Sequence, residues 1–103
     1  MNAITWSGPA LDDVQALRKW LGRDSKPLSD SVVETIFDAI EKVIPFPRIG
    51  RVVAEVGDDT VRELLFRTFR IVYKVTAGGI VVLGILYGGR PSDRREPRRW
   101  EIY

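Results

Sequence analysis

The sequence predicts an α+β fold of order β-α-α-β-β-β-β, with an N-terminal helical hairpin packed on a twisted, mainly antiparallel sheet. Three observations carry that prediction. Apolar residues recur twice at helical spacing before residue 45. Prolines at positions 45 and 47 then interrupt the pattern. After residue 50 the apolar period changes from about 3.6 to 2, in four runs separated by turn residues.

Each element follows in order. "AITWS" (3–7) alternates and reads as a short strand. Ser7 and Gly8 precede Pro9, which suits an N-cap with proline in the first helical turn. Ala10, Val14, Leu17 and Leu21 then form one apolar helical face. Asp12 and Asp13 sit near the positive end of the helix dipole, and Gly22 is a plausible stop. "RDSKPLSD" reads as a turn-rich connector, with a second helix from about Ser29. Its stripe is Val33, Ile36, Phe37, Ile40, Val43 and Ile44, and "IPFP" ends it. A short link between two such helices implies an antiparallel hairpin. "RVVAEV", "VRELLFR", "FRIVYKV" and "IVVLGILY" are the four later strands, joined by "GDDT", a tight corner at Arg67-Thr68, and "TAGG".

With 103 residues the chain has room for one core. Residues 1–90 are expected to form that single domain. Residues 91–103, "PSDRREPRRWEIY", form an arginine-rich tail that either belongs to it or is flexible. No apolar run reaches the roughly 18 residues of a membrane helix, and no secretion signal is apparent, so a cytoplasmic protein is expected. Zero cysteines exclude a disulfide framework and thiolate metal sites. Zero histidines exclude the Ser-His-Asp triad and the common zinc sites. No metal or cofactor is expected. The net charge of +2 is unevenly spread: residues 1–44 carry five Lys/Arg against seven Asp/Glu, and residues 45–103 eleven against seven. Twelve of the sixteen cations are arginine. This is either a solvated surface or a C-terminal half that meets a polyanion or an acidic partner.

A four-residue hairpin loop at 76–79 would set Val75 opposite Ile80. Phe69, Ile71, Tyr73 and Val75 then share a face with Ile80, Val82, Gly84 and Leu86. Arg70, Val72 and Lys74 share the other with Val81, Leu83, Ile85 and Tyr87. Arg70 falls opposite Ile85 and diagonal to Tyr87. A two-residue turn at Arg67-Thr68 adds Val61, Glu63 and Leu65 to this second face, with Glu63 diagonal to Arg70. Arg62 goes to the first face and must reach past the sheet edge. Glu63 and Arg70 could be a plain cross-strand pair on a face partly open to water. Equally, a basic sheet face bearing an aromatic residue is one that binds RNA or peptide.

The ordered motifs FP-x-x-GR-x-x-x-E (46–55), V-R-E-L (61–64), F-R-I-V-Y (69–73) and the apolar strand ending in Tyr87-Gly88-Gly89-Arg90 resemble the RelE/ParE superfamily. These are toxins of bacterial type II toxin–antitoxin modules. "ITWSGPALDDVQALRKWL" is similar to the family's first strand and helix, so the likeness covers about residues 3–90. It implies a small growth-inhibiting toxin, of the kind associated with plasmid stabilisation, in a hetero-oligomer with a cognate antitoxin that wraps around it. Two activities share the scaffold: ParE-like members inhibit DNA gyrase, and RelE-like members are mRNA interferases acting in the ribosomal A site.

Carried over by position, the resemblance makes Arg70 the arginine that RelE-like enzymes place on the scissile phosphate. Arg90 becomes a second basic group, and Glu55 the glutamate proposed as a base in YoeB-like members. Tyr87 stands where many members carry histidine. The binding surface would take in Arg51, Arg62, Lys74 and, more loosely, Tyr103, which resembles a tyrosine near the end of RelE-like chains. Val61 and Glu63 occupy the strand positions of the catalytic lysines. A phosphodiester transition state needs added positive charge, which Glu63 opposes. The missing lysines and the missing histidine favour the ParE-like branch.

Overall fold

The structure, a computed structural model, describes residues 3–66 and 69–87. Strand β1 (Ala3–Trp6) leads into helices α1 (Gly8–Gly22) and α2 (Lys26–Glu41). A 3-10 turn (Pro47–Ile49) then delivers the chain to β2 (Arg51–Val52), β3 (Val61–Phe66), β4 (Phe69–Thr76) and β5 (Gly79–Tyr87). The strands lie in the order β1-β5-β4-β3-β2. All neighbours are antiparallel except β1, which runs parallel to β5 with Ile4 opposite Ile80 and Trp6 opposite Val82. This is the α+β order expected, with a mixed sheet. Among the described residues no helix is long and apolar enough to cross a membrane.

Local chemistry explains where the helices start. Ser7 Oγ accepts the Ala10 N–H at 3.2 Å and donates to the Leu83 carbonyl at 3.3 Å, so one hydroxyl caps α1 and ties it to β5. Helix α2 starts a turn earlier than the sequence suggested. Ser25 is its N-cap, accepting the Leu28 N–H, and Pro27 sits harmlessly in the first turn, where no helical partner is needed. The connector is therefore only residues 23–25. The Ser29 hydroxyl, buried at the helix contact, donates to the Arg18 carbonyl at 3.0 Å and locks the hairpin.

The main core lies between the helices and one sheet face. Ala10, Val14 and Leu17 of α1, Val33, Ile36 and Ile40 of α2, and Val43 just beyond it are buried there. They pack against Phe69, Ile71, Tyr73, Ile80, Val82 and Ile85. Trp6 and Phe37 close one side of the core edge-on, with ring centroids 4.8 Å apart.

Ile85 belongs to that core, which corrects the expected register. The β4–β5 hairpin begins as anticipated, with Val75 opposite Ile80, although Thr76 and Gly79 also pair and leave a two-residue turn. Between Val72 and Tyr73 the ladder slips: Tyr73 pairs with Val82, but Val72 pairs with Gly84. Leu83 is the extra residue of a β-bulge. Past it the faces are exchanged, so Ile85 moves to the helix side and Gly84 and Leu86 move to the other. Arg70 lies opposite Leu86, not Ile85. In backbone register Tyr87 stands opposite Phe69, one residue from the place expected. At the bulge, the Asp13 carboxylate of α1 accepts the Ile85 N–H at 2.8 Å, which supplies a partner for that donor and fixes α1 across β5.

The run "RVVAEV" is a strand for two residues only. After Val52 the chain turns over the second sheet face, where Val53 is fully buried with Val61, Val72 and Leu83. Val56, Val81 and Leu86 pack around them. Around Val53 that face is therefore a second small core, and toward Arg70 and Leu65 it stays partly open. Because β2 begins with Arg51 opposite Glu63, no described strand lies beyond the outer edge of β3 from Leu64 onward.

Candidate functional site

Four charged side chains meet beside this second core. Glu63 projects from β3 between its neighbours Arg51 on β2 and Val72 on β4, and its side chain is only 5% exposed. Arg70, two residues from Val72 along β4, donates from Nε to Glu63 Oε1 at 2.6 Å. Arg51 donates from Nη2 to the other oxygen, Oε2, at 2.9 Å. Glu55, in the turn after β2, accepts from Arg70 Nη2 at 3.3 Å. The hairpin register makes this possible: Leu65 faces Arg70 and Glu63 faces Val72, which leaves Glu63 on the diagonal.

Burial of Arg70 disfavours its charge. The hydrogen bond and charge of Glu63, with a smaller contribution from Glu55, outweigh that and hold the guanidinium above the ordinary arginine range. Arg70 is thus a permanent cation. Two positive and two negative groups make the cluster neutral as a whole.

The other residues named from the sequence are placed differently. Lys74 lies four residues from Arg70 on β4, about 13 Å along the strand. Its Nζ is 3.9 Å from Asp58, whose carboxyl is held below the usual range by the Thr60 hydroxyl and N–H and by Lys74. Arg62 points to the helix side, opposite Tyr73. It donates to the carbonyls of Asp59 (2.7 Å), Arg48 (3.1 Å) and Gly50 (3.2 Å), and so reaches past the edge as expected. Arg90 and Tyr103 lie outside the described residues, as does the side chain of Tyr87. Among the described residues no group of acidic side chains is arranged to hold a metal ion.

A second constellation was not recognised from the sequence. The hydroxyl of Tyr73, fully buried, donates to the Pro47 carbonyl at 2.7 Å and accepts the Gly50 N–H at 2.9 Å. These bonds seat the "PFPRIG" turn on the sheet and thereby deliver Arg51 to Glu63. Gly50 is required by this contact: a Cβ there would lie 2.5 Å from the Tyr73 hydroxyl and 2.8 Å from the Glu63 carbonyl. The same turn leaves Phe46 and Ile49 exposed beside an open apolar groove of about 340 Å³, lined by Pro45, Pro47 and Val75 as well.

Tyr73→Phe keeps the ring and removes both bonds, so a loss of about 1–3 kcal/mol is expected, a fall in Tm of roughly 5–15 °C. Burial holds the Tyr73 hydroxyl above the usual tyrosine range, only partly opposed by the Gly50 N–H and the charge of Arg62. A folded value above the unfolded one means that this contribution is complete below about pH 10 and is lost as pH rises through the folded value. The stability gap between wild type and Tyr73→Phe should therefore narrow above about pH 10. Urea melts between pH 8 and 11 measure it, and a gap constant with pH would contradict the assignment.

Against known proteins, a search of curated sequences finds no match. Among solved structures, a chain described as "Chromosomal ParDE TA system from P. aeruginosa" matches with a TM-score of 0.69 at 21% identity, covering 84% of this chain and 96% of that one. At such identity the likeness establishes the fold. A family model described as "ParE toxin of type II toxin-antitoxin system, parDE" matches residues 4–91, from β1 to beyond the end of β5. The chain belongs to the ParE toxin family of type II toxin–antitoxin systems.

Proposed function

We propose that this protein inhibits growth by binding DNA gyrase in the cytoplasm, without chemistry of its own, until a cognate antitoxin binds and neutralises it. The observation that carries the reading is the state of Arg70. The arginine in the position of the RelE-like catalytic arginine is bound by a buried glutamate and by a second, exposed one. Phosphodiester cleavage needs surplus positive charge where the transition state forms, together with groups that move protons. Here the charges cancel among the described residues, Val61 and Glu63 stand in place of lysines, and the chain contains no histidine.

One observation favours the runner-up, a ribosome-dependent mRNA interferase. The structure brings Glu55, the candidate base, within 3.3 Å of Arg70. The two readings separate in a single culture expressing the protein without antitoxin. The gyrase reading expects plasmids to lose negative supercoils while primer extension finds translated messages intact. Cleavage within codons, with plasmid topology unchanged, would establish the interferase reading instead.

A further inference from the structure

Glu63 and Glu55 hold Arg70 in unlike ways. Glu63 is buried, binds at 2.6 Å and is shared with Arg51, so it is a fixed part of the sheet. Glu55 is 56% exposed, sits in a turn, and binds at 3.3 Å, long for a charge-assisted hydrogen bond. Arg70 itself is 39% exposed. Without Glu55 the cluster keeps Arg51 and Arg70 against Glu63, one net positive charge on a partly open guanidinium. Directly opposite Arg70 on β3 and β5 stand exposed Leu65 and half-buried Leu86.

A single surplus charge presented as a fork between two leucines fits one carboxylate set among apolar side chains. Among the described residues it does not fit a phosphate backbone, which calls for several cations. On this face Arg51 is engaged by Glu63, and Lys74 lies near Asp58. We infer that Glu55 is an internal stand-in for a partner's carboxylate: it occupies Arg70 in the free protein and is displaced when an acidic, apolar-flanked segment of a protein partner docks there. This rests on the reading of the chain as a toxin neutralised by an antitoxin, and identifies Glu55 as the built-in competitor of that contact.

The test is calorimetric titration with the product of the adjoining antitoxin reading frame. Removing an exposed competing pair should tighten binding of Glu55→Gln about three- to fivefold, the equivalent of an exposed ion pair. The double variant Glu63→Leu/Arg70→Met should bind at least about tenfold more weakly. Adding Glu55→Gln to that double variant should bring no further tightening. If the adjoining product binds wild type but Glu55→Gln binds equally or more weakly, the inference is overturned and the toxin–antitoxin reading stands. Tightening that persists without Arg70 overturns it as well. If Glu55→Gln tightens binding of a single-stranded RNA and not of the antitoxin, the site serves nucleic acid and the inference is wrong. Failure of the adjoining product to bind wild type removes the reading of neutralisation by that partner, and the inference with it.

Discussion

Gly79→Ala is expected to lower the unfolding free energy by about 3 kcal/mol or more, a fall in Tm of roughly 10–25 °C. Gly79 has φ +145°, a conformation L side chains rarely adopt, and its added Cβ would be driven into the backbone of Ala3. Those Ala3 atoms cannot step aside, because Ala3 pairs with Gly79 and its N–H donates to the Gly78 carbonyl at 3.0 Å. The substitution therefore pushes β1 off the sheet edge and loosens the Trp6–Phe37 contact behind it. Neighbouring Gly78 is the control: a Cβ there meets nothing within 4 Å, so Gly78→Ala should stay within about 1 kcal/mol of wild type. Hydrogen exchange should show β1 amides losing protection in Gly79→Ala alone. Retained β1 protection with an unchanged Tm would contradict this account of the turn.

The second large effect concerns Arg70. Arg70→Ala removes the 2.6 Å bond from a carboxylate that is almost wholly buried, leaving Arg51 as its partner. Breaking a buried pair by deleting one partner costs about 3–5 kcal/mol; the exposure of Arg70 and the remaining Arg51 bond reduce that to about 2–3 kcal/mol here. Glu55→Ala, which removes only the exposed contact, should change stability by about 0–1 kcal/mol. Removing both partners of that bond, as in Glu63→Leu/Arg70→Met, should restore most of the loss, because no charge is left buried alone. Urea melts of the four proteins give the ranking. An Arg70→Ala variant as stable as wild type would mean that the arginine is not part of the sheet's internal structure.

The difference between Arg70 and Tyr87 shows how far the site could be read from sequence. The Glu63–Arg70 diagonal depended on the β3–β4 pairing, in which Phe66 stands opposite Phe69 as the alternating pattern implies. The Tyr87 placement depended on counting along "IVVLGILY", where apolar residues occupy both faces and give alternation nothing to mark. A bulged Leu83 is invisible in such a run, and a one-residue slip reverses the faces beyond it. Helix α2 begins before its apolar stripe announces it for a related reason: serine and proline mark loops and also helix starts, and Ser25 and Pro27 serve as the latter. The burial of Glu63 had no local signal at all. It arises because Val53, inside an apparent strand, turns back over the sheet and carries Glu55 with it. The Tyr73–Gly50 lock was present in the "FPRIG" and "IVY" motifs, but only their proximity in space explains why the turn carries a glycine.

The proposal that this ParE-family chain acts by binding gyrase is most directly tested with purified components. Gyrase, relaxed plasmid and ATP are incubated with increasing toxin, and supercoiling and double-strand DNA breaks are read from the same gel after protein removal. Supercoiling is expected to fall with toxin concentration, cleaved plasmid to be trapped, and stoichiometric antitoxin to reverse both. Full supercoiling and no trapped cleavage at saturating toxin would contradict it.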